Sequence, residues 1–330
     1  MDKKHVCSAM KFSSTAQVSD SDLKGCKVVT KGKDTFVFVV DRKGFLHILK
    51  HDKSAKKLVP YKKLQIHKRG VSAIEFLPQW KGNEIIITSS LDGKALFWKF
   101  EDLISDGDIT PLSEFNASDN ICRIVPLTKQ RIALISWDKK TYLINENDEK
   151  IILDHGSLPG WDICEFTDVL ITANADRSLT IWSNGGNKIS EYKDAHSGAV
   201  RSIFAYNERV YSIGNDGSII KWIIQEDKTL KEEKKLQITD VYLYCYDIID
   251  HYCYIGSEDK VIYEVDLNKM ELTDVIVTGT TPWCISHENT TDIYTAESKG
   301  VVNVFSSSPE LRAAEESEES YFASNLQHIT

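Results

Sequence analysis

The sequence predicts an all-β chain folded as a seven-bladed β-propeller. Two observations carry the prediction: a strand–turn–strand unit recurs seven times, and six of the seven turns hold an aspartate. The clearest copies are TSSLDGKALFW (88–98), TANADRSLTIW (172–182) and SIGNDGSIIKW (212–222), and degenerate copies read VFVVDRKGFLHI, LISWDKKTYLI, IGSEDKVIYEV and AESKGVVNVF. The turn positions are Asp41, Asp92, Asp138, Asp176, Asp216, Asp259 and Lys299, spaced 51, 46, 38, 40, 43 and 40 residues apart. A period of about 40–45 residues is that of one four-stranded blade, and seven such units occupy nearly all of the 330 residues.

A strand–Asp–strand–Trp unit at this period is the mark of WD40 repeats. Blade one covers 20–60, its spacing lengthened by the Lys-rich excursion KHDKSAKKLVPYKK. Blade two spans 66–115 and ends in the acidic loop EDLISDGD; blade three, 119–153, is the least regular, with Ile144 where Trp is expected. Blades four, five and six take 158–195, 196–238 and 239–278, and blade seven 279–307. Ahead of them His5–Phe12 alternates like a strand. It is expected to complete the last blade, closing the propeller and leaving no open sheet edge. Residues 1–307 thus read as one propeller domain and 308–330, polar and acidic, as a tail or linker.

The residue types follow from what a blade needs. An Asp in the turn can bond nearby backbone and accept from a His in the loop entering the blade. That His can be held by a Ser or Thr of the second strand, which in turn meets a Trp indole N–H on the third. Three blades carry all four groups: His67–Thr88–Asp92–Trp98, His155–Thr172–Asp176–Trp182 and His196–Ser212–Asp216–Trp222, with the hydroxyl four residues before the Asp and the Trp six after it. Such His, Ser and Asp groups resemble a hydrolase triad only if the period is ignored, so no catalytic role, metal or cofactor is expected of them.

Composition narrows the class further. No run approaches the ~20 apolar residues of a membrane span, and the start, MDKKHVCSAMKF, has no apolar core of a signal peptide. The seven Cys are scattered, odd in number and lack a C-x-x-C pair, which suits reduced core thiols of a cytoplasmic or nuclear protein. The sequons at Asn116 and Asn289 are then expected to be silent. A net charge of −9 argues against nucleic acid as partner. Residues 24–69 nevertheless hold 14 Lys or Arg against three Asp. That segment is read as solvated surface or as a patch for an acidic partner, and the absence of a paired-Arg FRRG-like motif speaks against a lipid membrane.

Propellers host many activities, so function must come from particular side chains. Aligning LPGWDICEF, HSGAVRSIF, DVYLYCYDI and GTTPWCISH puts Trp161, Arg201, Tyr244 and Trp283 at one equivalent position, the start of the innermost strand on the face of the Asp turns. Aromatics and Arg are the side chains favoured at binding hot spots.

The stretches ISWDKKTYLI, WDICEF, LITANADRSLTIW, HSGAVRSI, SIGNDGSIIKW and PWCISHENTTDIYTAESKGVVNVFSSSPE resemble the propeller of the phospholipase A-2-activating protein family, over about 65–318. The resemblance includes a third-blade SWD at Ser136, Trp137 and Asp138, the rim set Trp161, Arg201, Tyr244 and Trp283, and a terminal VF at Val304 and Phe305 followed by a Ser/Glu-rich stretch. It implies a ubiquitin-binding cofactor of the valosin-type segregase ATPase, with Trp137 and the rim set as the ubiquitin site. The family's ubiquitin-binding and ATPase-binding domains beyond the linker have no counterpart in this sequence, so the ATPase is expected only through domains absent from it. The function read from the chain is therefore a non-catalytic module for ubiquitin or ubiquitylated proteins, acting in ubiquitin-dependent turnover. The competing reading is a general WD40 scaffold for peptides or subunits of another complex.

Overall fold

A computed structural model describes residues 10–313. It holds seven four-stranded antiparallel sheets, the blades of a β-propeller. They fall into two compact units: residues 1–64 with 244–330 carry blades one, six and seven, and Gln65–Leu243 carries blades two to five. In each blade the strands run in chain order from first to fourth, with blade seven taking its outer strand from the chain's beginning.

Burial grades outward across a blade. The second strand is covered on both faces, as in Val169–Asn174, where every residue is buried. The fourth is mostly exposed, as in Leu230–Gln237, where Leu230 alone is buried. A strand covered on both sides reads as an unbroken apolar run, not as alternation. Between neighbouring blades lie layered aliphatic cores, such as Val169, Ile171, Ile181, Ile203, Val210 and Trp222 in the second unit. Leu23, Val37, Val39, Tyr294, Val302 and Val304 form one in the first. Each such side chain contributes about 1.5–3 kcal/mol through apolar area removed from water.

Three details depart from expectation. The closing strand is Lys11–Gln17, so only two of its residues fall within His5–Phe12, and residues 5–9 lie outside the described residues. It pairs antiparallel with Val301–Ser306, from Lys11 opposite Ser306 to Gln17 opposite Val301, and a bulge between Phe12 and Ser14 leaves Phe12, Ser13 and Ser14 all buried. The bulge breaks the period of two, which is why this stretch does not announce itself as a strand.

The excursion of blade one is ordered strand. Phe45–Asp52 and Lys57–Gln65 are its third and fourth strands, of eight and nine residues. The acidic loop of blade two opens with a short helix, Phe100–Ile104, that buries Phe100 and Leu103.

Asp41 is the third departure. In the other blades the turn residue sits midway between paired strand ends, as Ser89 opposite Ala95 places Asp92. Val40 pairs with Leu46, which makes Asp41 the last residue of the second strand and puts Lys43 in the turn slot. The spacing of 51 to Asp92 is therefore two residues too long by register as well as stretched by long strands.

Removal of residues 1–17 strips the partner from Val301–Ser306 and uncovers Phe305, whose ring meets that of Phe12 at 6.2 Å. The expected outcome is a protein that aggregates on concentration and melts over a broader range. Light scattering and calorimetry read both, and a soluble, cooperatively melting truncation would contradict the role given to this strand.

Candidate functional site

Beneath the turns, the blades satisfy their buried polar groups in three ways, with blade four an exception to the first. Blades two and five hold the full chain of bonds. Trp98 Nε1 donates to Thr88 Oγ1 (3.0 Å), Thr88 meets His67 Nε2 (3.0 Å), and His67 Nδ1 meets Asp92 (3.0 Å). In blade five the corresponding distances are 2.8 Å for Trp222 to Ser212, 2.7 Å for Ser212 to His196 and 2.9 Å for His196 to Asp216. With the indole N–H donating to the hydroxyl, the hydroxyl can in turn donate to Nε2 while Nδ1–H donates to the Asp. Burial lowers the His67 pKa. Burial opposes ionisation of Asp92 and Asp216, yet their His partners and backbone N–H groups outweigh it and hold both carboxyls below the usual range.

Blade four breaks the pattern. Trp182 donates to Thr172 (2.9 Å), but His155 Nε2 bonds Thr141 of blade three (2.9 Å), and Asp176 accepts from Ser178 Oγ (2.6 Å) and N (3.1 Å). Blade four also differs two residues before the turn position, where blade two has Ser90. Blade five has Gly214 there, where a Cβ would stand 2.3 Å from His196 Nδ1. Blade four has Asn174, whose buried amide fills that space and bonds Ser178 and Thr180 instead. His155 is left half-buried, its pKa pushed down to about 4 by desolvation.

Blades three and six use a Tyr four residues after the Asp. Tyr142 donates to Asp138 (2.6 Å) and Tyr263 to Asp259 (2.5 Å), while apolar residues (Leu134 and Ile144, Ile255 and Val265) fill the hydroxyl and Trp slots. Blades one and seven move the acid back to the end of the second strand. Asp41 accepts from Ser19 (2.8 Å), meets His47 Nε2 (2.9 Å) and takes the backbone N–H of Lys43 and Phe45. Against the cost of burial, those bonds lower its pKa to about 2. Glu297 is fully buried and accepts from Thr280 (2.5 Å), Thr295 (2.5 Å) and Asn303 (2.7 Å). Burial raises it to about 7 against these bonds. In both blades a Lys, 43 or 299, stands in the vacated turn slot.

The rim positions share one device. In six blades the first strand carries a β-bulge near its start, and the extra residue is Lys24, Ser72, Cys122, Trp161, Arg201 or Trp283. Tyr244 holds the same place in blade six. A bulge re-aims one side chain out of the pleat, which is how a buried strand presents a half-exposed residue at its tip.

In the second unit these residues meet. The Arg201 guanidinium lies over the Trp161 ring at 4.3 Å, and Trp161 meets Trp137 edge to face at 6.4 Å and 84°. Trp137, from the turn of blade three, is 43% exposed, and Leu158 in the loop leading to Trp161 is 46% exposed. Arg123 pairs with buried Asp162 beside them at 3.3 Å, and Asp162 also accepts from the Ile203 N–H (3.1 Å). That ties the first strands of blades three, four and five together. In the first unit Trp283 is held between Lys24 Nζ, 3.1 Å over its ring, and Tyr244, whose ring centroid is 4.4 Å away. Leu158 and Lys24 escaped the sequence reading: a loop Leu carries no motif, and a Lys at the blade-one bulge is legible only once the register is known.

A second feature lies in the second unit. A cavity of about 310 Å³ between blades two and three is lined by Trp80, Phe97, Phe115 and Ile144, with Glu114, Asp148 and Lys150 among its polar lining. Among the described residues no cluster of His, Cys, Asp and Glu could hold a metal ion, and no helix is long and apolar enough to cross a membrane.

No family model matches the chain, and no curated protein sequence matches it significantly. The crystal structure of the WD40 β-propeller domain of Doa1 resembles it with a TM-score of 0.77 at 18% identity, over 92% of this chain and 99% of that one. At that identity the likeness shows the fold. The chain has the fold of a seven-bladed β-propeller, as that domain does.

Two measurements test the networks. Asp216→Ala leaves His196, Ser197 and Ser218 without their acceptor and should cost about 1–3 kcal/mol in chemical denaturation. Asp176→Ala should cost clearly less, because no His depends on it; equal losses would contradict the difference between the two blades. Glu297 has a folded-state pKa above that of an unfolded Glu, so its stabilising contribution is full in acid and is lost as pH rises through about 7. Glu297→Gln should therefore gain stability relative to the parent on going from pH 5 to pH 8, by about 1–3 kcal/mol. A difference independent of pH would show that Glu297 does not titrate in this range.

Proposed function

We propose that the chain is a ubiquitin-binding propeller whose site centres on Trp137, Trp161 and Arg201. The observation that supports this most is the exposed Trp137, braced edge to face by Trp161, which is itself braced by Arg201. A rigid aromatic with a polar surround is what a hot spot consists of. With Leu158 it offers apolar area to the small apolar patch of ubiquitin, and the acidic balance of the chain complements the basic side chains around that patch. The likeness to Doa1, the yeast ortholog of the phospholipase A-2-activating protein, fits the sequence resemblance and supports the same pathway. In this reading the module works in the cytoplasm and nucleus in ubiquitin-dependent turnover, and any segregase ATPase is engaged through other domains. Tyr244 and Trp283 form a second candidate contact in the first unit, to be tested separately.

A general peptide scaffold is the second reading, and the aromatic-floored cavity between blades two and three favours it. It is large enough for one apolar side chain of a partner.

Titration of isotope-labelled ubiquitin with the full chain should shift resonances of its apolar patch. Trp137→Ala and Trp161→Ala should each weaken binding by about 2 kcal/mol or more, roughly 30-fold, with little change in melting temperature. Arg201→Ala should cost less. Wild-type affinity in both Trp variants would sink the proposal. Loss of binding confined to substitutions at Trp80 or Phe115 would move the site to the cavity.

A further inference from the structure

We propose that the basic face of blade one is a docking surface for the acidic stretch Glu315–Glu319 of this same chain. The surface comes first. Of the 14 cationic residues in 24–69, several are matched locally: Lys43 with Asp20 at 2.6 Å, Lys50 with Asp34 at 3.3 Å and Lys53 with Glu288 at 2.9 Å. The outer strand, Lys57–Gln65, is different. Lys57 and Lys63 are exposed, and among the described residues no carboxylate lies within ion-pair distance of either; Lys63 rests over the Phe45 ring at 4.4 Å. Between them Val59 and Tyr61 are 47% and 39% exposed, with Lys50 over the Tyr61 ring at 4.8 Å. This is a cationic and apolar strip one strand long.

The path of the chain then delivers the acidic stretch to that strip. After blade seven ends at Ser306, Ser307 N–H bonds Thr291 O (2.8 Å) and Ala313 N–H bonds Phe12 O (2.9 Å). Lys56 Nζ donates to the Arg312 carbonyl at 2.6 Å. Lys56 lies in the hairpin that leads directly into Lys57–Gln65. Residues 315, 316, 318 and 319 are all Glu, and Tyr321 and Phe322 follow. Six residues from 314 to 319 reach about 20 Å when extended, and Lys57 to Lys63 spans about 20 Å of strand. Charge sign, length and point of delivery therefore agree.

Pro60 lacks an N–H and exposed Lys side chains line this edge, so pairing as a fifth strand is disfavoured. The contact is one of side chains, carboxylates on ammonium groups with Val59 and Tyr61 between them. Each exposed ion pair is weak and screened by salt, and it is the tether that makes docking effective. A docked stretch would deny blade one to other acidic partners until one outcompetes it.

Carbodiimide cross-linking of the full chain tests this, with isotope-labelled and unlabelled copies mixed. At low salt, peptides containing Glu315–Glu319 should link within one copy to Lys56, Lys57, Lys62 or Lys63, at least fivefold more often than to the exposed lysines of Lys231–Lys235. The links should fall several-fold at about 0.5 M salt. A variant with Glu315, Glu316, Glu318 and Glu319 all changed to Gln should bind a polyglutamate peptide several-fold more tightly than the parent. Links spread evenly over other blades, links only between differently labelled copies, links insensitive to salt, or equal polyglutamate binding by the two proteins would each overturn the proposal.

Discussion

A polar group buried beneath a blade must be given a partner, and the turn between the second and third strands is where this chain meets that demand. A hydroxyl on the second strand, as at Thr88 or Ser212, requires both the indole donor of the third strand and the imidazole acceptor of the entering loop. Where Leu134 or Ile255 replaces the hydroxyl, the demand disappears, and a Tyr on the turn's far side donates to the Asp. Where the turn residue is Lys, the acid moves two residues back to Asp41 or Glu297 and recruits a hydroxyl from the entering loop, Ser19 or Thr280. The three arrangements look unrelated as residue lists. They are one requirement of hydrogen-bond satisfaction met with different groups.

The same logic separates what the sequence disclosed from what it hid. Seven blades were legible because the turn residue and the apolar third strand recur at a fixed spacing, and spacing survives the loss of any one group. The bulge positions were legible for a related reason: Trp161 and Arg201 each lie 15 residues before their turns, and Trp283 lies 16 before its own. Contacts that depend on a single neighbour were not. His155 has the spacing of a network member, yet its ring bonds Thr141 of the neighbouring blade, and Asn174 bonds Ser178 where blades two and five have Ser90 and Gly214. Asp41 follows the turn motif by eye but not by register. The closing strand was misplaced because its bulge buries three residues in succession. Leu158 stands next to the rim through the path of a loop, which no periodicity encodes.

Two surfaces of opposite character result. The Trp137–Trp161–Arg201 group rests on rigid first strands whose tips are joined through Asp162, so its geometry is fixed before any partner arrives. Such preorganisation limits the entropy lost on binding and suits a small interface. The outer strand of blade one presents Lys57, Lys62 and Lys63 at the edge of a sheet. It suits attraction over distance and exchange among partners more than tight recognition.

The pairing of Lys11–Gln17 with Val301–Ser306 also sets an order on synthesis. Lys11–Gln17 has no partner until almost the whole propeller has been translated, because its place is the outermost position of the last blade. Intervening blades can form as local hairpins while they emerge. The nascent chain must meanwhile carry a strand with two unpaired edges and an apolar Phe12 for the duration of translation. Closure is then a contact of very large sequence separation, with a correspondingly large chain entropy to lose. A protein made this way depends on keeping its early segment soluble while it waits, which accords with the small polar residues, Ser13, Ser14 and Thr15, that follow Phe12 in that strand.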